Sequence, residues 1–153
     1  MIRGYRIVSR RWAASAFSGY GAAIAGGRWN SVGTAVVYAA ETRALAMLEQ
    51  LVHFDPGFAP VDMVCIPFSA PSSSLVECAS ASLPPNWRTY PAPPALAQMG
   101  DQWAAQRTSL LLRVPSAVVP GEYNLLLNPA HPEAHKVRLD AVEDITFDSR
   151  LLR

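Results

Sequence analysis

The apolar positions of the chain change period several times. Tyr5–Val8 (YRIV) is short, apolar and rich in β-forming side chains, which predicts a strand. Arg10–Phe17 predicts one or two helical turns, stopped by Gly19. Gly19–Gly33 (GYGAAIAGGRWNSVG) carries no sustained period and predicts a glycine-rich loop. A second strand is expected over Ala35–Ala39 (AVVYA). From Thr42 the spacing becomes helical. Ala44, Leu45, Met47, Leu48, Leu51 and Val52 share a face, predicting a helix that runs to Phe54 and is ended by Pro56 and Gly57.

Val61–Phe68 (VDMVCIPF) reads as a strand, with Pro67 marking its end or a sheet edge. Ser69–Pro94 is rich in Pro and Ser and reads as loop, with a short strand at Leu75–Glu77. Pro94–Gln106 predicts a helix with Pro94 in its first turn. Strands are expected at Ser109–Val114, Ser116–Val119 and Tyr123–Leu127; Lys136–Leu139 then precedes a last strand at Ile145–Phe147. Strands outnumber helices and cluster late, without regular alternation. The expectation is a single compact α+β domain with a mixed or antiparallel sheet and a few helices.

Composition narrows this further. At 153 residues, half of them apolar, one core suffices. The low net charge of +1 and 16% charged residues argue against disorder and offer no basic stripe for nucleic acid. No run of about 18 apolar residues exists, so no membrane span is expected. Cys65 and Cys78 make no disulfide framework, and Cys65 reads as a buried thiol. A cytoplasmic, reducing location is the matching expectation.

Gly26-Gly27-Arg28-Trp29-Asn30 carries the most chemistry. Two glycines let the backbone approach a ligand, and the Arg28 fork matches phosphate oxygens; the bland alternative is a turn whose arginine pairs with a carboxylate. Trp29 reads as a core anchor, and Asn30 as bonding nearby backbone. No dinucleotide-binding glycine fingerprint or Walker pattern is present. Glu49 falls at the border of the apolar helix face, where a carboxylate either meets a developing positive charge in a cleft or simply flanks the core. Tyr38 ends the second strand, as a pocket residue or a core aromatic. His131 and His135 are four apart, yet Pro129 and Pro132 favour a fixed loop, and no further ligand cluster supports zinc. Ser109 and Ser116 flank a strand without a nucleophile-elbow motif.

Taken in order, Tyr5-Arg6-Ile7, Gly26–Asn30, Ala35–Ala39 with Tyr38, Ala44–His53 with Glu49, Leu112–Ser116 and Asn124–Pro132 resemble the RES domain. That domain is the toxin component of bacterial RES–Xre toxin–antitoxin systems, and the likeness spans nearly all of residues 1–153. It implies a fold like that of ADP-ribosyltransferase toxins, with NAD+ as substrate and no metal. Arg28, Glu49 and Ser116 match the family's Arg, Glu and Ser, with Ser109 as rival for the last. The implied roles are Arg28 on the phosphates with help from Arg6, Tyr38 stacking on nicotinamide or ribose, and Glu49 at the ribosyl cation. Ser116 would bond the ribose or the amide, and Asn124 and His131 would line the pocket. Glu49 lies early in the chain, whereas many ADP-ribosyltransferases carry their glutamate late, so Glu122 and Glu143 stay open as partners. The implied partners are an Xre-type helix-turn-helix antitoxin and, for transfer chemistry, a host protein acceptor, with a homodimer within the complex left open. Water or phosphate as acceptor would make the enzyme an NAD+ glycohydrolase or phosphorylase. The alternative outside enzymology is a non-catalytic nucleotide-binding or protein-interaction module.

Overall fold

The computed structural model describes residues 1–55, 57–58 and 60–152. Eight strands form one mixed sheet: β1 (Ile2–Ser9), β2 (Val37–Ala40), β3 (Met63–Ala70), β4 (Leu75–Glu77), β5 (Leu111–Pro115), β6 (Tyr123–Leu127), β7 (Arg138–Leu139) and β8 (Glu143–Ile145). The order is β4-β5-β6-β2-β1-β3-β7, and β8 also joins β3. β4 runs parallel to β5, and the other described pairs are antiparallel. Three helices, α1 (Tyr20–Ala25), α2 (Arg43–Leu51) and α3 (Pro94–Gln106), complete the domain with short 3-10 turns. The α+β expectation is met.

Alternation along the strands sorts the core into two faces. On one, α3 places Leu96 and Trp103 over Val36, Leu112, Val114 and Leu126. On that same face α2 places Leu45 and Ala46 over Ile7, Ala40, Met63 and Cys65. On the other, Phe68, Val37, Leu125 and Leu127 pack beneath Phe17, whose ring meets Phe68 edge-on at 5.3 Å. Gly100 sets how closely α3 can approach: a Cβ there would lie 1.7 Å from the Trp29 carbonyl oxygen.

Several boundaries differ from expectation for identifiable reasons. α1 lies inside the stretch read as loop; it is six residues long, bounded by Gly19 and Gly26 at positive φ. Ser116–Val119 is a turn, because the Ser116 hydroxyl accepts the Val118 and Val119 N–H groups. The last strand is Glu143–Ile145, ending where Phe147 turns into the core. Pro67 lies inside β3, not at its end. β8 covers Met63–Cys65 and β7 covers Phe68–Ser69, so Pro67 falls in the gap where no N–H is needed. The Thr42 hydroxyl caps α2 by accepting the Leu45 N–H. Of the residues expected to end that helix, Pro56 lies outside the described residues.

Candidate active site

β1 and β2 pair at a single position, Tyr5 opposite Ala40, and then diverge. The next carbonyls facing the gap, Ile7 O and Tyr38 O, lose their strand partner and are met by side chains. Gln50 Nε2 donates to Ile7 O at 3.1 Å, and Arg6 Nη1 donates to Tyr38 O at 2.7 Å. Buried carbonyls demand such partners. The split opens a cavity of about 120 Å³ between the two strands and α2, lined by Arg6, Tyr38, Glu49, Gln50, His53 and Asn124 among others.

Glu49 therefore faces the sheet. The inward arc of α2 is Leu45, Ala46, Glu49 and Gln50, whereas Ala44, Leu48 and Val52 are exposed. This corrects the apolar face drawn from the sequence by a fraction of a turn: two polar side chains point inward because they border a cavity. Glu49 Oε1 accepts the Ser116 hydroxyl at 2.7 Å and Asn124 Nδ2 at 2.6 Å. Among the described residues Oε2 has no hydrogen-bond partner. Both donors thus hold one oxygen and leave the other for a ligand.

Ser116 is 1% exposed. Its proton goes to Glu49 and its lone pairs to two backbone N–H groups, so its hydroxyl is fully occupied within the protein. Ser109 is elsewhere, accepting Trp103 Nε1 and donating to Leu111 O in the core under α3. The structure thus brings Ser116, not Ser109, to Glu49.

Arg6 is the arginine among the residues that line the cavity. Its Nε donates to Ala16 O and its Nη1 to Tyr38 O, with no carboxylate among the described residues bonded to it. Burial pushes its guanidinium down to about 10. An arginine held by carbonyls alone keeps its positive charge for an anion from outside.

Gly27 to Asn30 closes a tight turn, the Gly27 N–H donating to Asn30 O at 2.9 Å. The turn buries Trp29 (2% exposed) and leaves Arg28 half-buried. A Cβ on Gly27 would fall 2.8 Å from the Tyr38 hydroxyl, so the close approach of turn and tyrosine needs glycine. That hydroxyl donates to Asn30 Oδ1 at 2.6 Å and accepts the Trp29 N–H at 3.0 Å. Burial raises the Tyr38 phenol above its ordinary value, so it stays protonated. Asn30 Nδ2 in turn serves the carbonyls of Ala22, Ser31 and Thr34. Asn30 thus ties α1, the turn and Tyr38 together, a long-range part that its local reading as a turn former did not reveal.

Arg28 Nη1 donates to Trp87 O at 2.7 Å and Thr89 O at 3.1 Å. Partial burial lowers its pKa, and the Glu49 charge opposes that shift. Glu49 lines the cavity, whereas Arg28 is not among its lining residues.

The structure does not bring every candidate here. Asn124 opens β6 at the cavity, but His131 follows its far end, where Asn128 holds the turn by donating to Ala104 O and accepting the Ala130 N–H. His131 is corrected out of the pocket on that ground; its Nδ1 accepts the Glu133 N–H. His135 Nδ1 meets Pro132 O. Glu143 is paired bidentately with Arg43, and Glu122 is exposed; neither lines the cavity. Gln50 and His53 line it without having been singled out; their place one and four residues after Glu49 was the available signal.

Comparison with known proteins gives a consistent picture. The model of the RES domain family matches residues 3–148. The chain is 44% identical over 149 residues to a Prs ADP-ribosylating toxin of Sphingobium sp., covering 95% of this chain and 92% of that protein. It is 41% identical to a Toxin Res of Yersinia enterocolitica, covering 96% of this chain and 97% of that one. A chain of the solved M. tuberculosis MbcT–MbcA toxin–antitoxin complex has the same fold, with a TM-score of 0.71 at 18% identity, over 94% of this chain and 84% of that one.

Proposed function

Because the chain belongs to the RES domain family, we propose that it is the toxin of a toxin–antitoxin pair and that it cleaves the nicotinamide–ribose bond of NAD+. The observation that carries this reading is the pairing of one open carboxylate oxygen with one charge-bearing arginine in a single cavity. Among the described residues Glu49 Oε2 is free while Oε1 is held twice, and Arg6 is half-buried without a carboxylate partner. A pyridinium-ribose bond breaks through an oxocarbenium-like state, as glycosides do. Nicotinamide leaves with the bonding electron pair, and C1′ of the ribose becomes the electron-poor centre. Glu49 Oε2 stabilises that charge or bonds a ribose hydroxyl. Arg28 and Arg6 hold the pyrophosphate. Tyr38, fixed by Asn30 and Trp29, orients the ring or ribose beside it. Ser116 acts through Glu49, as its anchor.

The electron-poor C1′ is then captured by an acceptor: a side chain of another protein, water or phosphate. Transfer to a protein is favoured by the 44% identity to a protein named an ADP-ribosylating toxin. An antitoxin would silence the enzyme by covering the cleft, and the likeness to a chain of a toxin–antitoxin complex supports such a partner.

The test is nicotinamide release from NAD+ by the purified protein, with and without cell lysate. The wild type releases nicotinamide. Glu49→Gln keeps size and loses charge, so turnover falls about 10²–10³-fold while the circular dichroism is unchanged. Full turnover in that variant, or no release by wild type in either condition, overturns the reading. Adenylate-labelled NAD+ then assigns the acceptor: a labelled protein band means transfer, and free ADP-ribose means hydrolysis.

A further inference from the structure

Arg28 anchors a neighbouring segment of the chain. Its Nη1 holds two carbonyls of one segment, Trp87 O and Thr89 O. That segment is stiff. It is bracketed by Pro84, Pro85, Pro91, Pro93 and Pro94. Thr89 closes it on itself, its hydroxyl donating to Asn86 O and its N–H to the same carbonyl. The next residue is Tyr90, whose side chain is 86% exposed, more than any other large apolar or aromatic side chain described.

A bare ring on a pinned segment leaves its flat face open to a ligand. The ring follows directly on the carbonyl held by the guanidinium. Two nitrogens of that guanidinium, Nε and Nη2, make no bond to the described residues. Arg28 thus offers donors to an anion and, one residue past its anchor, a flat apolar face.

We infer that Tyr90 is the platform on which the adenine of the dinucleotide stacks. This rests on the NAD+ reading, in which Arg28 holds the pyrophosphate; the adenosine lies directly beyond that group. The two halves of the substrate are then read separately. The cavity at the sheet split takes the nicotinamide riboside, and the Arg28-pinned segment takes the adenosine. Stacking needs a ring and not a hydroxyl, so any aromatic suffices at this position.

The test is equilibrium binding of two probes that the enzyme does not need to turn over, ADP-ribose and nicotinamide mononucleotide, by calorimetry. Base stacking on an aromatic side chain is lost on truncation, so Tyr90→Ala weakens ADP-ribose binding by about tenfold or more. Nicotinamide mononucleotide, which lacks the adenosine half, binds wild type and variant alike. Tyr90→Phe retains wild-type affinity for both. Equal ADP-ribose binding by wild type and Tyr90→Ala overturns the platform while leaving the NAD+ reading intact. Parallel weakening of both probes overturns it too, since that is the mark of a collapsed segment. A wild-type protein that binds neither probe overturns the NAD+ reading and the platform with it.

Discussion

The Ser116 hydroxyl donates to Glu49 Oε1 at 2.7 Å, joining residues 67 positions apart in sequence. Because Asn124 donates to the same oxygen, the carboxylate is fixed in rotation and its second oxygen is directed away from both donors. Removing Ser116 should therefore act on Glu49 before it acts on substrate.

Ser116→Ala leaves Glu49 on Asn124 alone. A hydrogen bond to a charged group contributes about 1.5–3 kcal/mol, so kcat for nicotinamide release falls by about 10–100-fold. KM for NAD+ stays near wild type, because the hydroxyl has no free valence for a ligand. Steady-state kinetics separate the two. A raised KM at constant kcat would mean that Ser116 touches substrate. Combining it with Asn124→Ala should cost less than the product of the single losses, because both act on one carboxylate.

Tyr38→Phe probes the turn that carries Arg28. The change removes the partner of a buried Asn30 Oδ1 and of the Trp29 N–H. Leaving such groups unpaired costs about 1–3 kcal/mol each way, visible as a lower urea midpoint at unchanged slope. The ring remains, so ligand orientation by stacking persists. Equal stability of wild type and Tyr38→Phe would show that the turn does not depend on this hydroxyl.

These relationships explain how much could be read from residue order alone. α2, α3 and most strands were legible because their period or their bounding prolines are local signals, as at Thr42 and Pro94. α1 was not, since a six-residue helix flanked by glycines carries too few apolar positions to show a period. Arg28, Glu49 and Tyr38 could be nominated from their type and setting. The split between β1 and β2 could not, because it consists of hydrogen bonds that are missing, and missing bonds leave no pattern. The inward Glu49 and Gln50 were its one trace: polar side chains on the buried arc of a helix break a local rule where a cavity needs them. Ser116 and Ser109 are separated only by what each hydroxyl meets in space.

Arg6 makes binding and stability respond oppositely to alkaline pH. Burial lowers its pKa to about 10 in the native state, well below the ordinary arginine value that the unfolded chain keeps. Between these values the unfolded chain holds the proton that the native protein has released, so Arg6's contribution to stability grows as pH rises through about 10. The same loss of charge removes the donor proposed for the dinucleotide phosphates. ADP-ribose affinity should therefore fall as pH rises from about 8 to about 11, while the part of the stability due to Arg6 increases. Arg6→Gln keeps a carbonyl-bonding amide without the charge. It should bind ADP-ribose more weakly at neutral pH and show a flatter profile, and the difference between the two proteins isolates Arg6 from other groups that titrate there. Calorimetry for affinity and urea unfolding for stability, run on both proteins across this range, check both signs. Parallel affinity profiles for wild type and Arg6→Gln would remove Arg6 from the anion site and leave it only as the side chain that closes the split in the sheet.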